Sequence, residues 1–267
     1  MEQKLIDSHA HLISENVDGK EIINKMESDN IEAIICIGTG PFDVENVVEI
    51  AEQNKNVFAA IAFHPEYADD IKEKDFEKLE KLVLHNKVVA IGECGLDYHY
   101  SKDNIERQKE LFKRHIKLAI KVQKPIMLHI REAEDDAIEI LKPFVGQLKD
   151  IIIHCYGAVS ERVTKEFVSM GAYISFAGNF TFKRFRREDI SLVPKDKLLV
   201  ETDSPYLSPE PLRGRQNYPK NVHITAQAMA DELQMNSSEL KSILIENAKR
   251  VFEIWSLNTK NHLVKIL

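Results

Sequence analysis

Leu5-Ile6-Asp7-Ser8-His9-Ala10-His11 opens as a short apolar run and ends in an acid and two imidazoles. In a strand, residues i, i+2 and i+4 face the same way, so Asp7, His9 and His11 share one face if the strand runs that far. Outward from this stretch the same design repeats. Apolar, β-branched runs at 5–8, 33–38, 57–62, 88–93, 125–129, 151–154, 172–175 and 197–201 read as strands buried on both faces. Segments of helical period at 43–54, 77–85, 104–123, 133–142 and 160–170 lie between them, several opened by Asp, Asn or Ser in a capping position, and a shorter helix is expected at 183–189. That alternation predicts parallel strands with crossover helices, an α/β fold. Eight units in 267 residues match a (β/α)8 TIM barrel, which takes about 250 residues. A Pro-rich loop at 205–219 then leads to extra C-terminal helices near 222–233, 238–246 and 247–255. With no linker, repeat or low-complexity stretch, 1–267 reads as a single domain.

The bulk properties narrow the classes. The chain is 43% hydrophobic and 30% charged, the balance of a soluble globular protein, and no apolar run approaches the roughly 18 residues of a membrane span. Met1-Glu2-Gln3-Lys4 runs straight into the first strand, which reads as no secretory leader and a cytoplasmic location. Cys36, Cys94 and Cys155 are an odd set without a C-x-x-C pair, against a disulfide framework or a cysteine zinc site. The net charge of −7 is the wrong sign for gripping duplex DNA through a broad basic face. No membrane and no obligate protein partner is expected.

Barrel enzymes place their chemistry at the carboxyl ends of the strands. Asp7, His9 and His11 end the first predicted strand, His64 follows the third, Glu93 ends the fourth, His129 the fifth and His154 the sixth, and Asp203 lies just past the eighth. A lone strand-end histidine is commonly a satisfied structural group. Here five of the ten histidines gather on one rim with two acids, and that convergence points to metal. His9 and His11 could share one ion, His129 and His154 a second, and Glu93 has two oxygens with which to bridge them. His85, His99, His115, His223 and His262 read as loop or helix residues, Cys94 and Cys155 as small core residues turned away from the ligands. Asp7 is expected to support a histidine ligand, and Arg131 to hold a phosphate or pair with a barrel acid.

Several blocks together resemble the TatD family of metal-dependent deoxyribonucleases: Asp7-Ser8-His9-Ala10-His11, Gly92-Glu93-Cys94-Gly95-Leu96-Asp97-Tyr98, His129-Ile130-Arg131, His154-Cys155-Tyr156 and Glu201-Thr202-Asp203-Ser204-Pro205-Tyr206. The resemblance extends to the loop from Pro211 to Asn217 and to Asn247, and departs from the family at Ala62-Phe63 and Gly157, none of them a ligand. It implies an amidohydrolase-type barrel with His9, His11, Glu93 and Asp203 around one ion and Glu93, His129 and His154 around the other. The cofactors implied are two divalent metal ions per chain, magnesium, manganese or zinc, since mixed imidazole and carboxylate ligands do not single one out.

Such a pair, about 3.5–4 Å apart, would clamp phosphate oxygens during in-line attack by water. Asp203 and Glu93 are the expected catalytic residues, with Asp203 taking the proton, and His64 and Arg131 the expected substrate contacts. The expected partner is DNA, as single strands or 3′ ends, cut by 3′-to-5′ exonuclease action. A related barrel hydrolase acting on an ester or amide, such as an aminoacyl-RNA deacylase, is the alternative. Lys183-Arg184-Phe185-Arg186-Arg187, with Arg213 and Arg215 on the next loop, has the basic and aromatic mix that could track a single strand; a solvated helix face is the plainer reading.

Overall fold

The computed structural model describes residues 3–254 apart from 101 and 158; the expected helix end at Trp255, and His262, lie outside the described residues. Eight parallel strands follow one another in sequence order: β1 (Leu5–Ala10), β2 (Ile31–Gly38), β3 (Val57–Ile61), β4 (Val88–Asp97), β5 (Ile126–Arg131), β6 (Ile151–Ile153), β7 (Tyr173–Phe176) and β8 (Leu198–Val200). A parallel bridge between Ala10 and Ser204 brings the chain beyond β8 back to β1 and nearly closes the barrel. Crossover helices α1 (Gly19–Lys25), α2 (Val44–Gln53), α3 (Glu73–Leu82), α4 (Ile105–Val122), α5 (Glu134–Leu141) and α6 (Glu161–Ser169) precede β2 to β7 in turn, and α7 (Val222–Glu232) and α8 (Ser237–Phe252) follow β8. Because both faces of the strands are covered, every residue of β4 is buried. No helix among the described residues is long and apolar enough to cross a membrane.

Four details depart from expectation. α1 has no predicted counterpart, because it is only 7 residues long and its apolar pair, Ile22 and Ile23, is only half-buried, too short a stretch to show a helical period. α3 starts four residues before the expected 77, since Asp75 accepts from the Lys72 N–H and caps the earlier turn. Between β7 and β8 the expected helix at 183–189 is replaced by 3-10 turns at Gly178–Thr181, Arg187–Leu192 and Lys195–Lys197. The two helices expected at 238–246 and 247–255 are one helix, α8. Asn247 does not interrupt it, because its amide donates sideways to the carbonyls of Lys195 and Leu198, at 2.8 Å each.

Two irregularities in the barrel position the site. Between Ile91 and Cys94, β4 advances three residues while β5 advances two, from Ile126 to Leu128; β1 does the same between Asp7 and Ala10 against Ile34 to Cys36 of β2. These bulges contain Glu93 and His9, and a bulge re-aims the side chain it carries. Beyond the first, β4 presses so closely on β5 that a Cβ at Gly95 (φ +140) would lie 2.1 Å from the His129 carbonyl oxygen. Only glycine fits there without displacement.

Candidate metal centre

The predicted residues converge. His9 sits on β1, and His11 just beyond it is fixed by its N–H donating to the Ser204 carbonyl at 2.8 Å. The Asp203 N–H donates to the His9 carbonyl at 3.0 Å, holding Asp203 in the left-handed region (φ 54) with its carboxylate turned inward. Glu93 enters from the β4 bulge, His129 from β5 and His154 from the residue after β6. His64 caps the turn Pro65–Tyr67 after β3.

Glu93 divides the centre. Its Oε2 lies 3.3 Å from His9 Nε2 and 3.9 Å from His11 Nε2, while its Oε1 lies 2.8 Å from His129 Nδ1, 2.9 Å from His154 Nε2 and 3.7 Å from His64 Nε2. Asp203 Oδ1 completes the first half, 3.5 Å from His9 Nε2 and 3.4 Å from His11 Nε2. The two imidazole nitrogens are themselves 3.3 Å apart.

Each inner histidine has one nitrogen engaged from behind. His129 Nε2 pairs with Asp97 Oδ2 at 2.8 Å, and His154 Nδ1 with Glu201 Oε1 at 3.1 Å. His9 Nδ1 faces the Met127 sulfur at 3.2 Å. An imidazole held through one nitrogen can offer the other to a metal once that nitrogen has lost its proton, so these contacts aim the three opposite nitrogens at the space around Glu93; without metal, His129 Nδ1 and His154 Nε2 donate to Glu93 Oε1. Sequence reading gave Asp97 and Glu201 no role. The available signal was spacing for Asp97, four residues after Glu93 on one strand and so on the same face; Glu201 lies past the end of β8, where alternation gives no such signal.

Other expectations sort differently. Asp7 does not touch an imidazole: it accepts from the backbone N–H of His9 and from the N–H and hydroxyl of Thr202, the last at 2.5 Å. It ties β1 to the chain after β8. His64 Nδ1 accepts from the Glu66 N–H at 3.2 Å, so neutral His64 carries its proton on Nε2, toward Glu93. Arg131 lies with its guanidinium 5.0 Å over the Tyr100 ring and, among the described residues, pairs with no acid. His115 is buried in α4, with the Phe63 N–H donating to its Nε2 at 3.3 Å, and His223 reaches the Asn30 carbonyl at 3.1 Å from α7. His99 pairs with Glu132 at 2.7 Å, and the half-buried His85 is 3.7 Å from Glu52.

Burial and charge pull against one another at the centre. Burial alone would raise the Glu93 carboxyl, but His154, His129 and His9 hold it well below the usual carboxylate range. Asp203 is likewise lowered, burial being outweighed by the bond to His11 and the charges of His9 and His154. Burial would lower His154, yet Glu93 and Glu201 hold it well above the usual imidazole value. His9 goes the other way, lowered by burial and by His154 beside it; burial also takes His64 down to about 3. The Cys94 and Cys155 thiols are pushed well up, first by burial; Cys94 lies in the core as expected, whereas Cys155 is only half-buried, has a positive φ of 45 and accepts from the Asn179 amide at 3.7 Å, so it is not the core residue expected.

The donor set fits divalent metal. Five of the six edges among His9 Nε2, His11 Nε2, Glu93 Oε2 and Asp203 Oδ1 measure 3.3–3.9 Å, close to the edge of about 3.3 Å expected of a tetrahedron with bonds of about 2.0–2.1 Å. Lone pairs converging at that distance repel unless a cation or proton lies between them. His9, His11 and Glu93 form one group of potential ligands, and His64, Glu93 and His129 another.

Comparison with known proteins agrees with this arrangement. Residues 6–253 match the family described as TatD related DNase. An uncharacterized metal-dependent hydrolase of Bacillus subtilis, YabD, is 39% identical over 254 residues, covering 94% of this chain and 99% of its own. A second, YcfH of Escherichia coli, is 33% identical over 257 residues, covering 94% and 96%. The crystal structure of YJJV, a TatD homologue from Escherichia coli, superposes with a TM-score of 0.87 at 26% identity, covering 93% of this chain and 98% of its own.

Proposed function

Because the chain belongs to the TatD family of metal-dependent hydrolases, we propose that it cleaves phosphodiester bonds in DNA, shortening strands from the 3′ end with a pair of divalent cations. The observation that carries this reading is the division of Glu93, with one oxygen facing His9 and His11 and the other facing His129 and His154. A carboxylate so divided suits two cations side by side, which when bound would supply charge stabilisation for a phosphate and acidify a water.

The protein's own groups do the rest. Asp203, ionised and held in place through its backbone N–H, orients the attacking water and takes its proton. His64, neutral with its proton on Nε2, donates to a phosphoryl oxygen. Arg131, without an acid partner among the described residues, holds a neighbouring phosphate. Asp97 and Glu201 keep the imidazoles of His129 and His154 turned the right way.

The test is cleavage of 3′-labelled and 5′-labelled single-stranded oligonucleotides by metal-stripped protein with magnesium, manganese or zinc added back, beside Glu93→Ala and Asp203→Ala. Metal-dependent shortening from the 3′ end, lost in both variants, is expected. Intact labels under every metal, in protein that still binds the ions, would end the phosphodiesterase reading and move attention to ester and amide substrates, aminoacyl-RNA among them.

A further inference from the structure

The centre uses neither the exposed rings on the strand-end loops nor the cations after β7 and β8. Phe42, Tyr100 and Tyr206 are 63%, 66% and 56% exposed, and they stand on the loops after β2, β4 and β8, all on the rim that carries the centre. Two of them connect to it, Tyr206 directly and Phe42 through Tyr67. The Tyr206 ring is edge-on to His11 at 5.8 Å; Phe42 is edge-on to Tyr67 at 5.2 Å, and Tyr67 to His64 at 6.4 Å.

The basic run divides in two. Arg186 pairs with Asp189, and Arg187 donates to the carbonyls of Phe180 and Thr181 at 2.9 and 2.5 Å; both are structural. Lys183 and Arg184, with Arg213 and Arg215 on the next loop, are exposed, and among the described residues none of the four pairs with a carboxylate. Elsewhere exposed cations do so repeatedly, as Lys121 with Glu80, Arg162 with Asp135 and Lys165 with Glu161. The two loops form one sector. The Glu210 N–H donates to the Thr181 hydroxyl at 2.8 Å, Gly178 packs so tightly on Leu207 that a Cβ would lie 1.9 Å from its carbonyl oxygen, and the Arg213 guanidinium sits 4.3 Å over the Phe182 ring.

We propose that this rim is the binding track for single-stranded DNA, resting on the phosphodiesterase reading above. Lys183, Arg184, Arg213 and Arg215 hold phosphates on the β7–β8 side, and Tyr206 and the Phe42–Tyr67 pair stack bases beside the centre. The strand must be single, because rings stack only on unpaired bases and a chain of net charge −7 offers a duplex no broad basic face.

The test compares the metal-loaded full chain with an Arg184→Ala/Arg213→Ala/Arg215→Ala variant and with Tyr206→Ala, by fluorescence anisotropy on a cleavage-resistant phosphorothioate oligothymidylate and on a duplex of the same length. The triple variant is expected to bind the single strand at least about tenfold more weakly, with a log Kd against log salt slope smaller by about 2, as three lost phosphate contacts require. Tyr206→Ala is expected to lose about fivefold or more. Hydrolysis of bis(p-nitrophenyl) phosphate, too small to reach the track, reports on the phosphodiesterase reading separately. Single-strand affinity and salt slope unchanged in the triple variant, or duplex bound as tightly as single strand by the wild type, would overturn the track. Weakened binding in the variants of a protein inert toward the small ester would remove the phosphodiesterase and leave the track standing.

Discussion

Glu201 accepts from Nδ1 of His154 at 3.1 Å, and the same carboxylate receives the Cys155 N–H at 2.7 Å and the Ser175 hydroxyl at 2.5 Å. Three donors fix a fully buried acid, and through it the orientation of an imidazole whose other nitrogen faces Glu93. Glu201→Gln keeps the shape and removes the charge. Metal affinity is expected to fall about 10- to 100-fold, read by competition with a chromophoric chelator. An affinity within threefold of wild type would show that Glu201 serves the fold and not the centre.

Metal uptake should release protons. Although burial opposes it, Glu93 and Glu201 raise His154 well above its ordinary value, and Asp97 and Glu93 raise His129, so both keep their protons to higher pH than a free imidazole does. A ligand must be deprotonated to bind, so affinity falls as pH falls, and for these two histidines the dependence continues above the usual pKa of about 6.5. Calorimetry of zinc or manganese binding at pH 7 in buffers of different ionisation enthalpy should give at least about one proton released per chain. Binding heats independent of the buffer would contradict this protonation pattern.

Gly95→Ala should damage the centre without touching a ligand. The new Cβ would sit 2.1 Å from the His129 carbonyl oxygen at a φ that side chains rarely adopt, so β4 or β5 must move at the point where Glu93 and His129 face each other. A loss of about 3 kcal/mol or more is expected, measured as the shift of the urea midpoint, together with weakened metal binding in whatever folds. Wild-type stability in the variant would mean that the strands give way freely there.

What was legible follows from the reach of each signal. β2 announces itself because Ile34, Ile35 and Ile37 are β-branched and buried on both sides, and the ligands announce themselves because His9, Glu93, His129 and His154 sit where apolar runs end. The contacts that aim them are not local: Asp97 meets His129 across 32 residues and Glu201 meets His154 across 47, and no periodicity encodes that. The bulge at Glu93 is equally silent, since register belongs to the pairing of two strands. The break expected between 246 and 247 is undone in the same way, by the Asn247 amide reaching the Lys195 and Leu198 carbonyls 52 and 49 residues away.

His115 should set part of the acid stability, far from the chemistry. Burial first, and then the Arg114 charge, lower its pKa to about 3; its ring packs against Phe63 and Phe76. A histidine with a folded pKa below its unfolded value of about 6.5 takes up its proton more readily when unfolded. The native state therefore loses stability as pH falls from about 6.5 toward 3, with no further loss below that. Between pH 7 and pH 4 this amounts to about 3 kcal/mol at 1.36 kcal/mol per unit. His115→Leu removes the group, so whatever the variant costs at pH 7 should shrink by about that amount at pH 4, in urea titrations run side by side on metal-free proteins. A difference between the two proteins that stays constant over this range would mean that His115 takes up its proton as readily in the native state as in the unfolded one.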